Sequence, residues 1–302
     1  MPLPARLTLL EYAALALIIV VWGVNNAAAK VATEVLPPML MGALRFGLAA
    51  LVLIPFVRPP FPNWKSLAVL ALFGGPIHFG LIYWGFAVAQ DLSPLVVSLQ
   101  LWIPFTALFA WLILGETLSW PILAGLAVAF GGVAFMTADP RAFRDWDAIA
   151  IGALASAAWA LATVVARRAA AVPPVKMQGL LSVVAFPTLA LGSILFEPDP
   201  VGAIQRATPL VWACVVWAAL ISTVIATGLL FWLVQRREAG RVTAYLLATP
   251  VVSCAIGVGL MGDVLTPQII AGGLATIAGV GLVALAERWP RKTAAVEAIG
   301  EG

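Results

Sequence analysis

The chain has 302 residues, of which 63% are hydrophobic and only 10% are charged, whereas an ordinary soluble domain carries roughly 25% charged residues. A soluble fold of this length could not hide so much apolar surface in one core, so the composition excludes a soluble globular protein. The net charge of +3 does not indicate nucleic-acid binding, because no basic cluster with interleaved aromatic residues occurs outside the apolar segments.

Apolar runs recur along the whole chain, and each is long enough to cross a membrane as a helix. Helices are favoured over the strands of a barrel because the runs are unbroken rather than alternating. Breaks at proline, glycine and charged residues predict ten helices, at 12–31, 38–57, 65–87, 93–114, 119–137, 148–169, 175–196, 209–233, 242–262 and 267–287. First-turn prolines support six of these starts, because their missing N–H would be unbonded there anyway: Pro38, Pro94, Pro121, Pro174, Pro209 and Pro267.

The first helix resembles a signal peptide, because Arg6 precedes an apolar stretch that ends in three alanines at 27–29. The apolar stretch is longer than a usual signal segment, and Glu11 stands before it. We therefore expect this segment to be retained as the first membrane helix.

Two segments, 114–136 and 261–283, match at a constant offset and predict a duplicated unit. Pro104 and Pro250 precede them at nearly matching places. Five helices per unit would make the second copy enter the membrane from the opposite side. We therefore expect an all-α integral membrane protein with ten transmembrane helices in two inverted five-helix repeats. The expected divisions are a first repeat at 1–138, a connecting loop at 139–147, a second repeat at 148–287 and a cytoplasmic tail at 288–302.

Basic residues predict that both termini are cytoplasmic, because Lys and Arg concentrate in cytoplasmic loops. With the N-terminus inside, twelve of them lie on the cytoplasmic side: Arg6, Arg58, Lys65, Arg167, Arg168, Lys176, Arg236, Arg237, Arg241, Arg288, Arg291 and Lys292. Four lie outside: Lys30, Arg141, Arg144 and Arg206.

The first helix carries polar residues at membrane depth, Asn25 and Asn26, with Trp22 on the same side. A buried amide without a partner costs a few kcal/mol, so both asparagines must face protein or water. Adjacent residues point in different directions, so we expect one asparagine to join helices and the other to line a cavity. Lys30 is expected to reach the headgroups.

Stripes of aromatic and hydroxyl side chains mark helices four, six and nine, where the choice lies between packing and cavity lining. Trp102 and Trp159 lie too deep for an interfacial belt, which favours a cavity. His78 is the only histidine, and it follows Gly74, Gly75 and Pro76, which weaken the helix. Tyr83 is five positions further on, so it should not lie close to His78 on the same face of the helix. The predicted substrate-binding residues are Trp22, Asn25, Asn26, His78, Tyr83, Ser98, Gln100, Trp102, Phe105, Trp159, Thr163, Tyr245, Thr249 and Ser253.

All 14 acidic residues fall at helix ends, in loops or in tails, so the predicted cavity has no carboxylate. A cavity without a fixed charge suits neutral or zwitterionic substrates. Arg45, if it points inward, could meet a carboxylate, and a structural pairing is the alternative. Cys214 and Cys254 form no ligand motif, so no metal or other cofactor is expected.

Prolines within the predicted helices, Pro104, Pro187 and Pro250, are expected to bend them, because proline removes a backbone hydrogen bond. Pro104 and Pro250 would give the two halves matched hinges. The paired glycines Gly125/Gly132 and Gly272/Gly279 predict close helix packing.

The chain resembles the EamA-type carriers of the drug/metabolite transporter superfamily, through "WGVNNAAAK" at 22–30, "ALRF" at 43–46 and "GET" at 115–117. The aromatic-rich stretch at 99–119 is similar to YddG-type aromatic amino acid exporters. The resemblance implies a multi-pass inner-membrane transporter that exports neutral amino acids by alternating access through a central cavity. Aromatic and other large neutral amino acids are the expected substrates, with threonine and methionine as further candidates.

Without a buried carboxylate, facilitated export is expected rather than obligatory proton antiport. The alternative is a proton-coupled antiporter of other neutral metabolites or drugs, such as purines, with His78 as its titrating group. An intramembrane enzyme is disfavoured, because its chemistry needs positioned acids, bases or a metal. The expected partners are a small neutral or zwitterionic substrate and the lipid bilayer, without nucleic acid, and a monomer fits the sequence.

Overall fold

The computed structural model describes residues 8–115, 119–166, 172–234, 245–246 and 248–286. All regular structure in these ranges is helical. The α-helices are α1 (Leu9–Thr33), α2 (Pro38–Leu53), α3 (Trp64–Leu72), α4 (His78–Val88), α5 (Leu92–Leu99), α6 (Trp102–Leu114), α7 (Trp120–Thr137), α8 (Trp146–Ala166), α9 (Pro174–Phe196), α10 (Pro200–Arg206), α11 (Pro209–Val216), α12 (Thr227–Val234), α13 (Thr249–Ile256) and α14 (Pro267–Ala286). Wider π-helical turns occur at Phe73–Ile77, Trp217–Ala226 and Gly257–Met261.

Eight helical spans in these ranges are long and apolar enough to cross a membrane, at the first eight predicted positions. They are Leu9–Thr33, Pro38–Phe56, Trp64–Val88, Leu92–Leu114, Trp120–Thr137, Ala142–Val165, Val175–Phe196 and Pro209–Leu230. Shorter apolar helices, Thr249–Met261 and Pro267–Val283, lie at the ninth and tenth positions. The protein is therefore a polytopic helical membrane protein, and the full ten-helix arrangement stays a prediction.

The expected orientation depends on basic residues of which most lie outside the described ranges: Arg6, Arg167, Arg168, Arg236, Arg237, Arg241, Arg288, Arg291 and Lys292. The tail at 288–302 and residues 116–118 of the repeated junction lie outside them as well. The cytoplasmic placement of the termini stays a prediction.

Glycines bring α7 and α14 into close contact, as predicted. A Cβ atom added at Gly125 would lie 2.8 Å from the carbonyl oxygen of Gly279, and one at Gly272 would lie 2.7 Å from that of Gly132. The absence of side chains at these four positions lets the two backbones approach each other. A second extensive helix pair, α2 with α9, packs beside the cavity described below.

Pro104 and Pro250 lie beside interruptions of the helical spans rather than within smoothly bent helices, and their role as hinges stays a prediction. Pro104 is in the first turn of α6, after an interruption at Gln100 and Leu101, and Pro250 is the second residue of α13. A missing N–H is tolerated at a helix start, so each proline stabilises a new start after a break. Pro187 lies inside α9, which remains helical around it.

Carboxylates bind the backbone N–H groups that begin two helices. Glu197 accepts from the N–H groups of Met39 and Leu40 at 2.6 and 3.0 Å, at the start of α2. Asp263 accepts from those of Leu92 and Ser93 at 3.1 and 2.8 Å, at the start of α5. These negative charges meet the positive ends of the helix dipoles outside the spans.

Asp145 extends the arrangement at α5, where it accepts from the N–H groups of Gln90 and Asp91 at 2.6 and 3.0 Å. Burial, together with the nearby carboxylates of Asp263 and Asp145, raises the pKa of Asp91. Among the helix starts whose side-chain hydrogen bonds the structure describes, the start of α5 is therefore the most acidic.

Candidate functional site

A cavity of about 330 Å³ lies among the membrane helices, at the lower end of the roughly 300–1,000 Å³ of small-molecule sites. It is bordered by side chains from α1, α2, α4, α5, α6, α8, α9, α12 and α13, and by Gln100, Ser222 and Leu246, which lie between these helices. Its aromatic lining consists of Trp22, Phe79, Tyr83, Phe86, Trp102 and Trp159. Its other polar lining consists of Asn25, Asn26, Arg45, His78, Gln100, Gln178, Ser222, Thr227 and Thr249.

Nine of the fourteen predicted binding residues border this cavity: Trp22, Asn25, Asn26, His78, Tyr83, Gln100, Trp102, Trp159 and Thr249. They come from five helices, α1, α4, α6, α8 and α13, and from the interruption at Gln100 between α5 and α6. The reasoning that placed them was local, since it asked which polar side chains could not face lipid and which tryptophans lay too deep for the membrane interface. Their role in binding remains a proposal.

Five predicted residues lie outside the lining: Ser98, Phe105, Thr163, Tyr245 and Ser253. The hydroxyl groups of Ser98 and Thr163 donate within their own helices, to the carbonyl oxygens of Leu95 at 2.7 Å and Trp159 at 2.8 Å. A hydroxyl bonded in this way is satisfied inside a membrane without a cavity.

Phe105 and Tyr245 pack against other rings instead of the cavity. The Phe105 ring lies 6.1 Å from that of Phe109 and 5.2 Å from that of Phe130, by their centroids. Tyr245 meets Tyr12 edge to face at 5.9 Å.

The two adjacent asparagines divide their roles nearly as predicted. Asn26 joins helices, because its Nδ2 donates to the Ser253 hydroxyl of α13 at 2.9 Å. Ser253 lies 3.2 Å from the carbonyl oxygen of Gly23, which completes the α1–α13 contact. Asn25 makes no such link, and its buried Oδ1 has no hydrogen-bond partner among the described residues. Both side chains border the cavity, although only one was expected to do so.

His78 is held by a backbone carbonyl and by aromatic rings. Its Nδ1 donates to the carbonyl oxygen of Ala155 at 2.7 Å, which leaves Nε2 as an acceptor whenever the ring is neutral. The ring lies 4.9 Å from that of Trp159 and 4.7 Å from that of Phe79. Tyr83 was not expected on the same side, yet both side chains border the cavity.

Arg45 places a fixed positive charge at the cavity, so the prediction of an uncharged lining is wrong. Its side chain points inward, with 6% of the residue exposed. Nε donates to the Thr223 hydroxyl at 2.8 Å, Nη1 donates to the Tyr83 hydroxyl at 3.0 Å, and the guanidinium lies 4.6 Å from the centre of the Phe79 ring. The described residues supply no carboxylate within ion-pair distance of Arg45.

Lys30 does not reach for the headgroups as predicted. Its ammonium group donates to the carbonyl oxygen of Ala89, just after the end of α4. A cation at the negative end of a helix dipole is favourable, so Lys30 joins α1 to α4.

Gln178, Ser222 and Thr227 border the cavity but were not predicted. Gln178 is a buried amide in an apolar helix, so the argument used for the asparagines would have found it. Ser222 and Thr227 lie in and just after a π-helical turn, where Thr227 donates to the carbonyl oxygen of Ser222 at 3.1 Å. Such a turn shifts the faces of the helix and has no simple sequence signal.

The membrane spans and the mostly apolar cavity among them are the features of a membrane transporter. The sequence profile described as the EamA-like transporter family matches residues 9–138 and 146–285. The chain belongs to this family.

Curated relatives and one solved structure cover most of the chain. A "probable amino-acid metabolite efflux pump" of Salmonella typhimurium is 29% identical over 287 residues, which are 87% of this chain and 91% of that protein. An "uncharacterized inner membrane transporter YedA" of Escherichia coli K12 is 23% identical over 84% of each chain. One crystal structure, at 21% identity, has a TM-score of 0.62 over 92% of this chain and 97% of its own, and this likeness concerns the fold alone.

The family and the apolar helices make the chain a multi-pass transporter of the inner membrane. The family consists of transporters, so the chain is not an enzyme. The described residues contain no group of three or more His, Cys, Asp or Glu side chains that could hold a metal ion, and the absence of a cofactor stays a prediction.

Proposed function

We propose that this protein exports neutral amino acids, aromatic or otherwise large, with threonine and methionine as further candidates. The observation that carries the proposal is the cavity, in which three indole rings stand beside amides and hydroxyl groups. Indoles suit an apolar side chain, and the polar groups suit the two ends of an amino acid. The name of the Salmonella relative, a probable amino-acid metabolite efflux pump, supports the same substrate class.

We further propose two inverted repeats, with the divisions at 1–138, 139–147, 148–287 and 288–302 given above, and alternating access between them. The family profile matches the chain in two parts, 9–138 and 146–285, which supports the duplication. The pairs α2 with α9 and α7 with α14 join helices at equivalent positions of the two halves. Packing of this kind fits a pseudo-twofold axis, a common arrangement in secondary transporters.

Facilitated export is the favoured energetic mode, because no acidic side chain of the described residues lines the cavity. Proton-coupled carriers usually use intramembrane Asp, Glu or His. His78 is in the lining, and this observation supports the second candidate, a proton antiporter of other neutral metabolites such as purines.

Counterflow in liposomes tests the substrate and the mode together. Purified protein is expected to accumulate labelled phenylalanine, methionine or threonine against an unlabelled load, without a pH gradient. Unlabelled adenine, loaded in place of the unlabelled amino acid, is the matched comparison for a neutral metabolite. Lack of counterflow for every amino acid would refute the substrate class, and strict dependence on a pH gradient would refute the facilitator.

Pro104→Ala and Pro250→Ala are expected to slow counterflow several-fold, because each proline fixes the helix start after an interruption beside the cavity. Alanine would allow each helix to continue across the break and stiffen it. Pro187→Ala, inside the continuous helix α9, is the comparison variant. Equal rates for wild type and the first two variants would exclude them as hinges.

A further inference from the structure

Arg45 is a buried cation that lacks its usual counter-ion. Two of its five N–H groups are used, by Thr223 and Tyr83, and neither acceptor is charged. Both N–H groups on Nη2 have no hydrogen bond to the described chain. A buried charge is costly unless it is paired, and a guanidinium matches a carboxylate through two parallel hydrogen bonds.

Two polar side chains in the same lining also lack partners. Asn25 Oδ1 and Thr249 Oγ1 are buried and make no hydrogen bond with the described residues. Asn25 is 9% exposed and Thr249 is 6% exposed. An unpaired buried acceptor costs about 1–3 kcal/mol, so these groups are poised to receive hydrogen bonds from a molecule inside the cavity.

Asn25 and Arg45 lie at nearly the same depth in the membrane. Asn25 is eight residues before the end of α1, and Arg45 is seven residues after the start of α2, at the same end of the bundle. At a rise of about 1.5 Å per residue, they lie about 12 Å and about 10 Å from that end. Thr249 contributes from α13, which packs on α1 through Asn26 and Ser253.

We propose that Arg45 binds the carboxylate of the substrate, while Asn25 Oδ1, with the Thr249 hydroxyl, accepts hydrogen bonds from its ammonium group. This inference rests on the proposed function and narrows the substrate class to molecules with both a free carboxylate and a free amino group. Neutral metabolites without a carboxylate are then poor ligands. The substrate side chain extends toward the rings of Phe79, Trp159 and His78.

The bonds of Arg45 with Thr223 and Tyr83 position it for this role. They fix Nε and one hydrogen of Nη1, while the Phe79 ring supports the face of the guanidinium. The N–H groups on Nη2 are left without a partner among the described residues, and Arg45 borders the cavity. A purely structural arginine would be indifferent to whether the ligand has a carboxylate, and this difference makes the proposal testable.

The test compares three probes of equal ring size: phenylalanine, phenylalaninamide without the carboxylate, and 3-phenylpropionate without the amino group. Binding is measured by tryptophan fluorescence and by the thermal shift of the purified protein, and competition is measured in phenylalanine counterflow. The variants are Arg45→Gln and Asn25→Ala. Arg206→Gln is the matched control, because this arginine lies on the surface, 62% exposed, and pairs with Asp199.

Wild type and Arg206→Gln are expected to bind phenylalanine at least about tenfold more tightly than either analogue, because a charge-assisted bond is lost with each. Arg45→Gln should abolish the preference over phenylalaninamide and keep the preference over 3-phenylpropionate. Asn25→Ala should do the reverse. If Arg45→Gln weakens all three probes by the same factor, Arg45 has a structural role only and the proposal is overturned.

Failure of this inference can be told apart from failure of the proposed function. If wild type transports phenylalanine but binds the amide equally well, the carboxylate site is wrong and amino acid export stands. If wild type transports no amino acid, yet binds 3-phenylpropionate only while Arg45 is present, export is wrong and the carboxylate site stands. Should Arg45→Gln not fold, Asn25→Ala decides by the ratios given above, and Arg45→Lys, which keeps the charge without the fork, should reduce but not abolish the preference over phenylalaninamide.

Discussion

Replacement of Gly132 by alanine is expected to destabilise the helical bundle by about 1–3 kcal/mol, the usual cost of overpacking. The added Cβ atom would lie 2.6 Å from the backbone nitrogen of Thr276 and 2.7 Å from the carbonyl oxygen of Gly272. Neither backbone atom can turn aside as a flexible side chain would, so α7 and α14 must separate along their contact. Thermal unfolding of the purified protein in detergent would show a lower midpoint.

Gly131→Ala is the matched control, one residue away on the same helix. A Cβ atom at Gly131 would meet no heavy atom within 4 Å, and alanine is favoured over glycine in a helix by roughly 0.5–1 kcal/mol. This variant should match or slightly exceed the wild-type midpoint. Equal midpoints for the two variants would show that α7 and α14 are not in close contact at Gly132.

Asp263→Ala is expected to lower the free energy of unfolding by about 3 kcal/mol or more, since each orphaned buried donor costs about 1–3 kcal/mol. The carboxylate is 5% exposed and accepts three hydrogen bonds, from the N–H groups of Leu92 and Ser93 and from the Ser93 hydroxyl. The substitution would leave the first turn of α5 without these partners and remove a negative charge from the positive end of its dipole. Chemical or thermal unfolding measures the loss.

Asp199→Ala is the control variant, which separates the effect of burying the carboxylate from the effect of capping a helix start. Asp199 also binds a helix-start N–H, that of Gly202 at 3.0 Å, and pairs with Arg206, but its side chain is 60% exposed. Water can replace these bonds in part, so the loss should stay near that of an exposed N-cap and clearly below the loss for Asp263→Ala. Asp263→Asn, which keeps one acceptor oxygen, should fall between Asp263→Ala and wild type. A loss as small for Asp263→Ala as for Asp199→Ala would contradict the role of Asp263.

The local parts of the fold were predictable from the sequence because they depend on neighbours along the chain. Apolar length identifies the spans, a proline in the first turn identifies the start of α2 or α9, and paired glycines identify the α7–α14 contact. Each of these signals acts within about one helical turn or one span. None of them requires knowledge of which helices meet.

The site was predictable where burial of a polar group forced the answer, or where a tryptophan such as Trp102 or Trp159 lay too deep for the membrane interface. Asn25 and His78 could not face lipid, and both border the cavity. The hydroxyls of Ser98 and Thr163 instead satisfy themselves on their own helices, so their presence in an apolar helix carried no information about a cavity. The inward direction of Arg45 depends on Tyr83 and Thr223, which are far away in sequence.

Links between distant segments gather at the end of the bundle where α2 and α5 begin. Glu197 holds the start of α2, Asp263 holds the start of α5, and Asp139 accepts from the Thr266 hydroxyl at 2.6 Å, a bond that lowers the pKa of this carboxyl. Each link joins a part of the first proposed repeat, or its boundary, to the second. If the two halves rock as proposed, opening at this end of the bundle must break these three links together. The empty carrier would then stay closed at this end. The free energy of substrate binding would offset the loss of these links, so the carrier would open with substrate bound and would not leak other solutes.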